Sequence, residues 1–244
     1  MENPDLKNSP TDSTLAFSLV IPCYNESRGL PDLISRCRFV VEAGHGEIIL
    51  VNNGSTDNTQ EVLEESVGAS GNLRFVQVRT NRGYGHGILA GLAAAQSDVV
   101  GWTHADLQTD PADVLRALSV FANSNNRRFV KGRRFGRPLS DRFFTAGMSL
   151  FESLLLGRPL NDINAQPTLF HRELMNGWGT PPEDFSLDLF AFVQARRAHF
   201  KVSRIPVIFA QRLYGDSSWN VDLKSKWRFI KRTLGYSMKL RSNF

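Results

Sequence analysis

Short apolar runs alternate with amphipathic stretches through the first half of the chain. The runs Phe17–Pro22, Glu47–Asn52, Leu73–Val78 and Asp98–Thr103 read as strands. The stretches Gly29–Val41, Asp57–Ser66, Gly85–Ala95 and Asp110–Phe121 carry helical periodicity. Near-continuously apolar strands separated by helices predict a mostly parallel sheet covered on both faces, an α/β fold. The second half is less regular. A short strand is expected at Arg128–Lys131, a helix at Asp141–Leu156, strands at Gln166–His171 and Lys201–Phe209, and a helix at Ser186–Ala198. No linker rich in Gly, Ser or Pro divides the chain, so one domain over residues 15–219 is expected, with its halves meeting near residue 135. Residues 1–14, polar and broken by Pro4 and Pro10, read as a disordered tail rather than a signal peptide.

Composition narrows the class only a little. The chain has 244 residues, 41% hydrophobic and 22% charged, which excludes wholesale disorder. Two cysteines, Cys23 and Cys37, build neither a disulfide framework nor a four-ligand zinc site and suit a reducing compartment. No apolar run reaches the roughly 18–20 residues of a membrane span. Charge is more telling by location. Residues 220–244 hold seven basic side chains and one acid, whereas the rest of the chain is close to neutral. Leu223, Trp227, Ile230, Leu234 and Met238 recur there with helical spacing, and basic residues flank them. That pattern fits a basic amphipathic helix lying on an anionic membrane surface, and equally a helix packed on the domain with a solvated basic face. A nucleic-acid-binding role lacks any recognition motif, and the neutral body offers no basic groove.

Each strand of the first half ends in a polar loop: PCYNES, NNGSTDN, NRGYGHG and HADLQTDP. In open α/β sheets ligands bind beyond the carboxyl ends of the strands, so the four loops predict one site. The glycine loop lacks the dinucleotide fingerprint, because Ile88 stands where the third Gly belongs and the loop follows the third strand. In HADLQTDP, an extended backbone would turn His104, Asp106 and Gln108 to one side. An imidazole, a carboxylate and an amide oxygen suit Mg2+ or Mn2+ with positions left for phosphate oxygens. Asp106 and Asp110 also qualify as caps of the helix that Pro111 starts.

Six segments in order, SLVIPCYNE, ILVNNGSTDNT, NRGYGHGILAGL, HADLQTDP, VKGRRF and IFAQRLYGDSSW, resemble the GT-A-fold glycosyltransferases of family 2. The resemblance lies near the dolichyl- and polyprenyl-phosphate sugar synthases, in a form without C-terminal transmembrane segments. It implies a nucleoside diphosphate sugar as donor, with Pro22, Tyr24, Glu26 and Asn53 as nucleotide contacts. Asn53 replaces the family's usual Asp. It implies Asp106 and Gln108 as metal ligands, and Arg134 and Arg212 facing diphosphate or acceptor phosphate. His104 stands where the family usually has an Asp, either ligating the metal or hydrogen-bonding ribose. The implied reaction is inverting, metal-dependent transfer to polyprenyl phosphate or a lipid-linked glycan at the cytosolic membrane face. A soluble sugar acceptor would instead need a base, for which Asp188, or Asp184 on the same helix face, is the candidate. Donor base, sugar, acceptor and oligomeric state stay open.

Overall fold

A computed structural model of the chain describes residues 16–67, 71–121, 127–136, 139–157, 159–214, 231 and 234–240. The first three β-α pairs fall close to where periodicity places them. They are β1 (Ser18–Cys23) with α1 (Leu30–Gly44), β2 (Glu47–Asn53) with α2 (Thr59–Ser66), and β3 (Leu73–Val78) with α3 (Tyr84–Ala94). Pro31 opens α1, and Leu30, Leu33, Ile34, Cys37 and Val40 line its inner face. β4 (Val99–Trp102) leads to a short α4 (Asp113–Leu118). Asp110 stays outside that helix and starts its turn, accepting from the Ala112 amide at 2.9 Å.

The second half comprises β5 (Arg128–Phe135), α5 (Leu139–Leu156), β6 (Thr168–His171), a 3-10 turn at Arg172–Gly177, α6 (Leu187–Arg197) and β7 (Lys201–Ile208). β5 runs four residues further than its apolar core predicts, because β7 pairs with it along its whole length, up to Phe135 opposite Ile208. The 3-10 turn has no apolar period and is not legible in the sequence.

One seven-stranded sheet has the order β3-β2-β1-β4-β6-β5-β7. β6 runs antiparallel to both neighbours; the other pairings are parallel. Alternate residues feed two cores. Val20, Ile49, Val100, Trp102 and Phe170 pack with α3 and α6, while Leu19, Ile21, Ile48 and Leu50 pack with α1 and α4. The charged start of β2 is the exception. Glu47 is buried, but the Ser18 hydroxyl, the Gln96 amide and the Arg74 guanidinium all donate to it. Such saturation is what lets a carboxylate sit in a core.

Of the expected C-terminal helix, residues 234–240 are described and helical. Ser237 and Leu240 face inward, and the Ser237 hydroxyl donates to the buried Glu152 of α5 at 2.7 Å. Met238, a member of the apolar stripe, is 59% exposed. The described turns thus pack on the domain through Ser237 and Leu240, with Leu234 partly buried. Leu223, Trp227 and Ile230, like the expected disordered tail, lie outside the described residues. No helix among the described residues is long and apolar enough to cross a membrane.

Candidate functional site

The chain reverses its progress across the sheet between β1 and β4, which are neighbours although two strands and three helices separate them in sequence. At such a switch point the helices leave in opposite directions and the strand ends open a crevice. The loops after β1 and β2 form one wall and are knitted together. The Asn25 amide donates to the Ser55 hydroxyl, Glu26 N to Thr59 Oγ1, and Ser27 N to Asp57. Asn25 takes a left-handed conformation, φ 56°, and its side chain accepts from the Thr56 amide. Pro22, next to last in β1, lies opposite Val51, and Tyr24 is 46% exposed. Asn53 is buried at the end of β2. Its Nδ2 donates to Gly83 O at 2.9 Å, while its Oδ1 has no hydrogen-bond partner in the chain.

The opposite wall is the turn after β4. It is not extended, since Leu107 has φ 57° and the Gln108 amide closes back on Asp106 Oδ1 at 3.1 Å. The burial pattern nonetheless alternates: Ala105, Leu107 and Thr109 are buried, and His104, Asp106 and Gln108 are partly exposed. The segment after β7 lies over this turn. Ala210 N donates to Gln108 O at 2.8 Å, Gln108 Nε2 returns to Ala210 O at 3.2 Å, and Arg212 pairs with Asp106 Oδ2 at 2.9 Å. Further on, Tyr214 donates to Asp32 of α1 at 2.8 Å. Sequence separations of about a hundred residues hide these contacts from any local pattern.

Charge gathers in the crevice. Burial raises the Glu26 carboxyl to about 7; the Arg212 guanidinium opposes this, and Asp106 and Asp57 add to it. Burial also acts on Asp57, but hydrogen bonds from Thr59 and Ser27 outweigh it and lower its pKa. A half-buried, perturbed carboxyl beside a paired carboxylate and arginine marks a functional site.

His104 and Asp188 have partners distant in the sequence. The His104 ring leans on Tyr84, centroids 5.5 Å apart, and Tyr84 stacks on Phe185 at 4.6 Å. Asp188 lies behind this stack, 1% exposed. Its Oδ1 accepts from Gln166 at 2.8 Å and Trp102 at 3.2 Å, with the Lys131 ammonium at 3.4 Å. A base must reach the proton it removes. Asp188 is thus a buried tie between α6 and the sheet. Asp184 accepts from the Ser186 amide and shapes the entry to α6. Helix-face spacing identified both aspartates but carried no information on which side of the helix is walled in.

Arg134 is fully engaged as well. Its Nε donates to Asp162 at 2.8 Å, and its guanidinium lies 5.4 Å from the Phe209 ring. Arg133 beside it is exposed, and Arg204 bonds the carbonyls of Gly132 and Asn161. β5 runs parallel to β4, so Arg133 and Arg134 near its carboxyl end share the crevice edge of the sheet. The glycine loop serves packing. A Cβ on Gly85 would stand 2.7 Å from Pro182 O, the His86 amide donates to Glu183 O at 2.8 Å, and Arg82 forks onto the Glu183 carboxylate.

Among the described residues no three His, Cys, Asp or Glu side chains converge as a ready metal cage. The oxygen donors present are those of Asp106 and the Gln108 amide, and Asp106 already faces a cation, Arg212. This set fits a hard divalent ion whose remaining ligands arrive with a diphosphate.

Residues 18–179 match the model of glycosyl transferase family 2. The chain belongs to glycosyl transferase family 2. This family 2 chain is 30% identical over 214 residues to undecaprenyl-phosphate 4-deoxy-4-formamido-L-arabinose transferase of Proteus mirabilis, covering 83% of itself and 62% of that relative. It thus spans under two thirds of the relative's length. Among solved structures, glucosyl-3-phosphoglycerate synthase of Mycobacterium tuberculosis bound to UDP superimposes with a TM-score of 0.72 at 18% identity, over 100% of this chain and 87% of the other. A mannosyltransferase of Pyrobaculum calidifontis, bound to GDP-Man and Mn2+, gives 0.66 at 17% identity, over 93% and 65%. The fold is GT-A-like.

Proposed function

We propose that this chain transfers a sugar from a nucleoside diphosphate sugar to polyprenyl phosphate or a related lipid-linked acceptor. The observation that carries the reading is Asp106 at the β1/β4 switch point, paired with Arg212, in a family 2 chain. The nucleotide would lie along the loops after β1 and β2, with the exposed Tyr24 ring available to stack and the unpartnered Asn53 Oδ1 available to a donor. Pro22 and Glu26 complete that wall. Asp106 and Gln108 would hold a divalent ion, Mn2+ or Mg2+, which when bound supplies positive charge to the departing diphosphate. His104 is then left for ribose or sugar contact.

The acceptor half, about residues 136–219, follows the same logic. A phosphate acceptor is already anionic near neutral pH and needs no strong base, which agrees with the enclosure of Asp188. Arg133 is exposed at the edge of the sheet, beside the Arg134–Asp162 pair. Arginine presents several donors to phosphate at once. Direct attack on the anomeric carbon from the side opposite the diphosphate would invert its configuration. Leu150, Phe151 and Leu154 form an exposed apolar stripe on α5, with Met238 exposed on the neighbouring C-terminal helix. They support peripheral contact with the cytosolic face of a membrane.

The experiment is transfer from radiolabelled UDP- and GDP-sugars to short-chain polyprenyl phosphate with Mn2+ present. Wild type should label the lipid, and Asp106→Ala should reduce turnover by about a thousandfold or more while keeping its melting temperature. Near-normal turnover in Asp106→Ala would remove that residue from the chemistry. Labelling of sugar alcohols instead of lipid would assign a soluble acceptor.

A further inference from the structure

Residues 209–214 run as a strap across the crevice edge, from β7 to the start of α1. The Phe209 amide bonds Phe135 O, Ala210 exchanges two hydrogen bonds with Gln108, Arg212 pairs with Asp106, and Tyr214 reaches Asp32. The tie at the centre is ionic, and it engages the carboxylate oxygen, Oδ2, that the Asp106 turn leaves over. Oδ1 is already taken by the Gln108 amide. The Asp106 side chain is 11% exposed and that of Arg212 25%, so the pair is only lightly screened by water. A cation approaching Oδ2 meets the guanidinium that holds it, so a free Mn2+ is repelled there by the adjacent positive charge. A diphosphate alone would meet the Asp106 carboxylate. Arriving together, the two remove both conflicts: the metal charge replaces Arg212 at Asp106, and the released guanidinium gains phosphate oxygens as partners.

We propose that Arg212 is the resident counter-ion of Asp106, exchanged on donor binding, so that divalent metal and nucleoside diphosphate enter the site as a coupled pair. This rests on the donor site proposed above and adds to it an order of events and a residue that enforces it. Arg212 contributes negatively to binding of the metal alone and positively to binding of the metal–diphosphate pair. Coupling of this kind is reciprocal, so each ligand tightens the other by one factor.

Calorimetric titration of the full chain with MnCl2 alone, with UDP or GDP alone, and with each in the presence of the other tests it. In wild type Mn2+ alone should bind weakly, and saturating nucleotide should tighten it by at least about tenfold. Arg212→Gln should bind Mn2+ alone several-fold more tightly than wild type, and its coupling factor should shrink. Arg212→Lys, which keeps the charge, should resemble wild type in the Mn2+ titration. Mn2+ alone binding Arg212→Gln no better than wild type would overturn the proposal, as would an undiminished coupling factor. If neither nucleotide binds any form, the donor reading fails, yet the Mn2+ comparison still decides what Arg212 does to Asp106.

Discussion

Glu26 is held among charges of mixed sign, and its protonation leaves a measurable trace. Its carboxyl titrates near 7 in the folded chain against an ordinary 4.5, chiefly through burial. Between those values the folded state binds the extra proton and the unfolded state does not. Stability from this group is therefore full below about 4.5 and lost as pH rises through about 7. Glu26→Gln should erase that decline, leaving the variant more stable than wild type by about 1 kcal/mol at pH 7.5 once solvent screening is allowed for. Urea midpoints at pH 5 and pH 7.5 measure it. At this scale the string HADLQTDP was informative about Asp106 and Asp110, because turn chemistry is local. Asp188 was not legible as a buried anion. Its donors come from Trp102, Lys131 and Gln166, and proximity of that kind is settled only when the sheet closes.

Among the elements, β5 and α6 are joined through that anion. Lys131 is fully buried, and burial lowers its ammonium to about 8 despite the Asp188 carboxylate, with Arg204 adding to the fall. It donates to Thr168 on β6 at 2.7 Å, so a single side chain ties β5 to β6 and α6. Lys131→Met should cost about 3–5 kcal/mol, since it strands a buried carboxylate, whereas Lys131→Met with Asp188→Leu should recover much of the loss. Chemical denaturation of the three proteins tests this. The β-α alternation of the first half was readable because β1, β2 and β4 are buried on both faces and the helices on one. The order of the last three strands was not. Insertion of antiparallel β6 between β4 and β5 leaves no mark in the periodicity of any single strand.

Taken whole, the molecule has an unevenly finished surface. Leu150, Phe151 and Leu154 lie exposed along one side of α5, and Glu152 on the opposite side is buried against Ser237. Substituting the three by Ser should leave the fold intact, because none of them is buried. Partitioning onto anionic vesicles should weaken by at least about tenfold, as each large apolar side chain withdrawn from water contributes on the order of 1.5–3 kcal/mol. Sedimentation with vesicles of phosphatidylglycerol measures it, and unchanged partitioning would show that α5 does not touch the bilayer. The tail's charge pattern drew attention to residues 220–244, but the exposed apolar face of α5 was obscured, because its described buried positions are the polar Ser149 and Glu152, the reverse of the usual amphipathic rule.

The seam at Gly83 and Gly85 bears on how such enzymes can be recombined. The donor-side loop touches the peptide carbonyls of residues 182 and 183 without side chains intervening, and Arg82 clasps Glu183 across the join. A chimera that exchanged everything beyond residue 135 for the equivalent part of a relative would have to reproduce that backbone path to within a few tenths of an ångström. Specificity for the two substrates is therefore expected to be inherited together, as one matched pair.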